Sequence, residues 1–148
     1  MLALVRVCLL AAVFALACLA PRAARAQNCR NLGATAVAFG TYNVFATSDL
    51  TGVGTITYRC PNSLNPSITL SASSNGAYKP RQMRSGANTL NYDLYFDAAM
   101  TVVWGVGADA HAVATGNNAS VSVYGKLFKQ QDAAVAAYSD SVTVTLNF

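Results

Sequence analysis

Outside its first 26 residues, the chain has one histidine, six aspartates and two cysteines with which to do chemistry. His111 lies in Ala108-Asp-Ala-His-Ala112, two residues from Asp109, and serines abound, so a Ser-His-Asp set can be written down. A hydrolytic triad also needs a framed nucleophile, and no G-x-S-x-G elbow or comparable motif is present. A histidine in a surface loop is the expectation, with an exported hydrolase as the remote alternative. Nothing in the sequence places Asp93 or Asp97 beside a buried cleft, as a general acid and base would require. Asp109 and Asp132 read as solvated loop residues, and no D-x-D-x-D-G run offers calcium a cage. Two thiols and one imidazole cannot assemble structural zinc, and no glycine-rich phosphate loop occurs. No metal, cofactor or catalytic residue is therefore expected. Trp104 and the tyrosines could stack on sugars or bases, but in a small all-β domain they fill the core. Tyr92, Leu94, Phe96 and Trp104 are the expected core set. Asn118-Ala-Ser120 matches a glycosylation sequon whose use depends on the host.

The compartment follows from residues 1–26, read as a signal peptide. Arg6 supplies a thin positive region, Leu9 to Ala20 are apolar, Pro21 breaks the run, and Ala24-Arg25-Ala26 is an A-x-A cleavage site. Twelve apolar residues reach about 18 Å as a helix, short of the roughly 30 Å hydrocarbon core. Stable membrane insertion is not expected. Ala15-Leu16-Ala17-Cys18 loosely resembles a lipoprotein box, the rival reading. Arg6, Arg22 and Arg25 leave with the leader, so seven of ten basic residues remain against six Asp, a net charge of +1. That balance offers nucleic acid no basic surface. Lys79, Arg81 and Arg84 are the one loose basic group, read as a solvated edge. Cys8 and Cys18 belong to the leader, and Cys29 and Cys60 in an exported chain most simply form one disulfide.

What remains, residues 27–148, is one domain of 122 residues without Glu and rich in Ala, Val, Thr, Ser, Asn and Gly. Such a mixture disfavours long surface helices and suits strands and turns. Strands are expected over Ala36–Tyr42, Thr51–Cys60, Pro66–Ala72, Tyr78–Met83 (an edge strand, because Pro80 cannot donate), Thr89–Phe96, Thr101–Trp104 and Ser120–Phe128. Residues 108–119 read as a loop and 129–137 as a connection. The last stretch alternates without fault: Val142, Val144, Leu146 and Phe148 on one face, Ser141, Thr143, Thr145 and Asn147 on the other. Short strands at about ten-residue spacing imply an immunoglobulin-like β-sandwich. A chain ending in mid-strand on a bulky apolar residue is expected to have another chain beside it.

Taken together, these blocks resemble the spore coat protein U domain. Its start resembles Cys29, Phe39-Gly-Thr-Tyr42 and Thr55-Ile-Thr-Tyr-Arg-Cys60. Its centre resembles Leu90-Asn-Tyr-Asp-Leu-Tyr95, Asp97-Ala98 and Val103-Trp-Gly105. Its end resembles Val123-Tyr-Gly125, Gln131-Asp132 and Tyr138-Ser-Asp-Ser-Val-Thr-Val-Thr-Leu146. The family looks like the subunits of archaic chaperone–usher pili of Gram-negative bacteria. The resemblance implies an immunoglobulin-like fold lacking its last strand, with an acceptor groove beside Val142, Val144, Leu146 and Phe148. A periplasmic chaperone would fill that groove first, and a neighbouring pilus subunit would replace it at the outer-membrane usher. The domain would pass through the periplasm to the cell surface. The resemblance also accounts for Cys29 pairing with Cys60. Cleavage after Ala26 leaves only Gln27 and Asn28 before Cys29, so a subunit that accepts a strand without donating one is expected. A secreted adhesin-like binding domain, using Trp104, Tyr95 or residues 105–119, is the alternative.

Overall fold

In the computed structural model, which describes residues 27–148, eight strands and one 3-10 turn make up the regular structure. They are β1 (Arg30–Ala34), β2 (Leu50–Cys60), β3 (Ser67–Leu70), β4 (Arg81–Ser85), β5 (Asn88–Tyr95), β6 (His111–Ala112), β7 (Gly116–Leu127) and β8 (Val144–Asn147). The expected signal peptide, its cleavage site and Cys18 lie outside the described residues. One sheet has the order β1-β2-β7-β5-β4 and the other β6-β3-β8, with every pairing antiparallel. The architecture is an immunoglobulin-like β-sandwich.

Period-2 alternation determines which residues meet between the sheets. Ile56, Tyr58 and Cys60 come from β2, Leu90, Tyr92 and Leu94 from β5, Val123 and Leu127 from β7, and Ile68 and Leu70 from β3; all are buried. Trp104 is buried among them, its Nε1–H donating to the Ile68 carbonyl at 2.9 Å, and Phe96 packs edge-on against its ring at 5.0 Å. The Cys29–Cys60 disulfide ties the residue before β1 to the end of β2. Gly86 takes φ 58° in the two-residue turn between β4 and β5, a position that favours glycine.

Several elements differ from the sequence expectation, each for a local reason. The first strand is Arg30–Ala34, not 36–42. The Thr35 N–H to the Thr55 carbonyl, at 2.9 Å, is the last bond holding this segment to β2. Beyond it, residues 36–39 leave the ladder and settle into a trench made by glycines on neighbouring strands. A methyl group at Gly54 would stand 2.9 Å from Val37 Cγ2, and one at Gly125 would stand 2.5 Å from Val37 Cγ1 and 2.8 Å from Phe39 Cζ. Residues 108–119 are not one loop: a 3-10 turn spans Gly107–Asp109, β6 follows, and β7 begins at Gly116. Of 101–104, only Val103 bridges to Tyr95.

The trench yields a direct prediction. Gly125→Ala should cost about 1–3 kcal/mol of stability by overpacking, because Val37 and Phe39 must move. Urea denaturation reads the loss, and an unchanged midpoint would show that residues 37–39 do not occupy the trench.

Candidate functional site

The geometry of β8 is set by β3, against which it pairs Ser67 with Asn147, Ile68 with Leu146, Thr69 with Thr145 and Leu70 with Val144. Ser71 N–H donates to the Thr143 carbonyl at 3.0 Å, whereas Leu70 N–H turns the other way, to the Gly105 carbonyl at 3.0 Å. Thr143 N–H donates in turn to the Ser71 hydroxyl at 2.9 Å, and because antiparallel pairs alternate, Thr145 and Asn147 turn their backbone groups to β3. The N–H and C=O groups of Val144 and Leu146 therefore point away from β3. In the described fold β8 is an edge strand, and that side faces no strand.

Beside this edge runs a groove of about 510 Å³. Its near wall is Tyr138–Val142 and Val144, its far wall Ala34–Val37 with Phe39, and its floor Ile56, Leu70, Tyr92, Leu94 and Val123. A second hollow of about 780 Å³ adjoins it through the shared residues Val37, Phe39, Met83 and Tyr138. Val44, Phe45 and Ala133–Ala137 line that hollow, and Phe45 is 87 % exposed at its rim. Of the four expected groove residues, Val142 and Val144 line the groove. Leu146 turns inward and packs on the core. Phe148 is 57 % exposed and lines neither hollow, because Asn147 is the last residue with a partner on β3.

The segment entering β8 crosses between the sheets. Ser139 exchanges two backbone bonds with Arg84 of β4, at 2.9 and 3.1 Å, before Thr143 joins β3. Between them, Asp140 accepts the Tyr92 hydroxyl at 2.7 Å. Burial and the adjacent carboxylate both push the Tyr92 hydroxyl pKa far above its usual value. Gln131 pins the connection upstream, its Nε2 donating to the Asn91 and Phe128 carbonyls and its Oε1 accepting the Asn91 N–H.

The basic group expected to be solvated is divided by the fold. Arg81 is 0 % exposed. Its guanidinium donates to the carbonyls of Leu70, Ser71, Tyr78 and Trp104 at 2.8–3.3 Å. Burial lowers its pKa, opposed by the charge of nearby acidic groups. Sequence reasoning missed this residue and Asp140. Asp140 did leave a signal, since it occupies an inward position of an otherwise apolar alternating row.

The groups considered for catalysis are dispersed. His111 belongs to β6 rather than a surface loop; its ring stacks on Phe96 at 4.5 Å, and its Nε2 is buried without a partner. Asp109 accepts the Tyr78 hydroxyl at 2.9 Å. Asp97 caps the following turn by accepting the Val102 and Thr101 N–H groups, and the Val102 bond chiefly lowers its pKa. Asp93, whose burial nothing in the sequence suggested, is 7 % exposed, because Lys126 and Tyr95 crowd that face of β5 and β7. Its Oδ1 has no hydrogen-bond partner, and desolvation raises its pKa. Among the described residues, no three metal-ligating side chains gather. Trp104 and Tyr95, which a sugar- or surface-binding domain would need exposed, are buried.

Asp93 supports a second prediction. A carboxyl whose folded pKa is raised destabilises the fold once ionised, so Asp93→Asn should raise the unfolding midpoint at neutral pH. The gain should vanish as pH falls through the carboxyl's titration and Asp93 becomes neutral. A gain independent of pH would contradict desolvation as its cause.

No helix of the described residues is long and apolar enough to cross a membrane. In comparison with known proteins, the Spore Coat Protein U domain family matches residues 15–145. "Protein U" of Myxococcus xanthus is 31% identical over 125 residues, covering 74% of this chain and 70% of that protein. The crystal structure of the CsuC-CsuE chaperone-tip adhesion subunit pre-assembly complex, from archaic chaperone-usher Csu pili of Acinetobacter baumannii, superimposes with a TM-score of 0.62. The likeness covers 82% of this chain and 40% of that one at 21% identity, a likeness of fold.

Proposed function

Because the chain belongs to the Spore Coat Protein U domain family, we propose that it is a structural subunit of an exported surface polymer of the archaic chaperone–usher kind. The signal peptide is residues 1–26 and the exported domain residues 27–148. The sandwich lacks one strand, and the groove beside β8 takes that strand first from a periplasmic chaperone and then, at the outer-membrane usher, from another subunit. The role is structural rather than catalytic.

One observation carries this reading: the backbone groups of Val144 and Leu146 turn away from β3 along an edge that no described strand covers, and Val144 lines the apolar groove beside that edge. Strand addition satisfies such an edge with main-chain hydrogen bonds, while alternate side chains enter the groove. Residues 36, 37 and 39 on the far wall make no backbone ladder with β2, so they too are left open to an incoming chain.

Val144→Pro separates strand capture from folding. The Val144 N–H is not used in the β3 ladder, and proline is tolerated on an edge whose N–H faces outward. An incoming strand needs that N–H. Co-expressed with its periplasmic chaperone, the wild-type chain should co-purify with it, whereas Val144→Pro should reduce recovery by about tenfold with the domain still folded. A wild-type chain that never co-purifies with the chaperone, or equal capture of the proline variant, would contradict the proposal.

A further inference from the structure

Strand alternation turns Tyr138, Asp140, Val142, Val144 and Leu146 inward, and Asp140 is the only charged residue of that row. It lines the groove above a floor that includes Ile56, Leu94 and Val123. Its position is fixed from beneath, where Oδ2 accepts the hydroxyl of the buried Tyr92 at 2.7 Å. That one bond uses a fraction of a carboxylate's acceptor capacity, since its two oxygens offer about four lone-pair sites. The buried cation of this region does not supply the rest: Arg81 gives its guanidinium hydrogens to the carbonyls of Leu70, Ser71, Tyr78 and Trp104. Asp140 is partly exposed to the open groove, where its remaining acceptor sites are accessible to water.

A strand laid into the groove removes that water. An apolar side chain over Asp140 would leave the carboxylate desolvated and underpaired, and an acidic one would add repulsion. A cationic side chain replaces the lost water with a charge-assisted hydrogen bond. Resting on the reading of the groove as a strand acceptor, we infer that the incoming strand carries Lys or Arg at the inward position facing Asp140, with apolar residues at the inward positions on either side. Asp140 thereby sets the register and selects the partner: a strand shifted by two residues places an apolar group over the carboxylate and the cation over the apolar floor.

The test uses the exported chain and three synthetic peptides of alternating Thr and Val, identical except for a central inward Lys, Leu or Glu. Fluorescence anisotropy should give the Lys peptide at least about tenfold tighter binding than the Leu peptide, equivalent to about 1.4 kcal/mol, and the Glu peptide the weakest. Asp140→Asn can still accept the Tyr92 hydroxyl, and it should bring the Lys and Leu peptides to similar affinity without abolishing binding. Tyr92→Phe, which leaves the carboxylate in the groove, should keep the preference. Equal affinities of the Lys and Leu peptides for the wild-type chain, or a Lys preference that survives Asp140→Asn, would overturn the inference while leaving strand acceptance intact. If none of the three peptides binds, strand acceptance itself fails and the inference fails with it.

Discussion

Arg81→Ala should destabilise the domain by on the order of 3–5 kcal/mol, the cost of breaking a buried charged network. Arg81 stands on β4 in the five-stranded sheet, and its guanidinium reaches the Leu70 and Ser71 carbonyls at the end of β3 in the other sheet. It also takes the Tyr78 and Trp104 carbonyls from two irregular segments, so a single side chain closes four backbone acceptors. Without it, those carbonyls are left unsatisfied in a site too enclosed for easy hydration. Arg81→Lys should recover little, because an ammonium lacks the planar fork that serves several carbonyls at once. Guanidinium chloride denaturation of residues 27–148 measures both variants. A loss below about 1 kcal/mol for Arg81→Ala would show that water replaces the guanidinium at little cost.

Loss of the disulfide is the second large effect. Cys29 and Cys60 are 31 residues apart, and a closed loop of that length stabilises by about 3–4 kcal/mol through the entropy of the unfolded chain. Position adds to this. Cys29 precedes β1, an edge strand paired only with β2, and β1 runs straight into residues 34–39, the far wall of the groove. The double variant Cys29→Ala/Cys60→Ala should therefore lower the denaturation midpoint and also weaken strand capture, by loosening that wall. Reducing the wild-type protein should reproduce the stability loss. A variant as stable as the wild type under oxidising conditions would contradict the tether.

The sandwich was legible where strands are half-buried. β2 and β8 alternate in sequence as they do in the fold, because one face of each meets the core and the other is more exposed, whereas β5 keeps its inward row but buries Asp93 and Tyr95 on the other face too. Residues 36–42 misled for a reason no local pattern contains. Val-Ala-Phe-Gly-Thr-Tyr has strand propensity, but Gly52, Gly54 and Gly125 lie on other strands and create the trench that draws Val37 and Phe39 out of the ladder. Arg81 was illegible in the same way, since its partners are carbonyls from residues 70, 71, 78 and 104. A lone arginine after a proline carries no mark of such burial. His111 sat among small residues that read as a loop, while its companions Phe96 and Trp104 arrive from elsewhere in the chain. The candidate groove was legible only in part: Val142 and Val144 of the alternating row stand on its near wall, while Tyr138–Ser141 and the far wall emerged only with the fold.

The open edge of β8 is tested most directly by amide hydrogen exchange at residues 143–147, with and without a bound strand. In the free domain, Val144 and Leu146 should exchange much faster than Thr145, whose N–H is bonded to β3. On binding the chaperone or the Lys-containing peptide, both should slow by about a hundredfold or more as their N–H groups join a new ladder. Val144 and Leu146 already as protected as Thr145 in the free domain, or still unprotected in a saturated complex, would contradict strand addition at this edge.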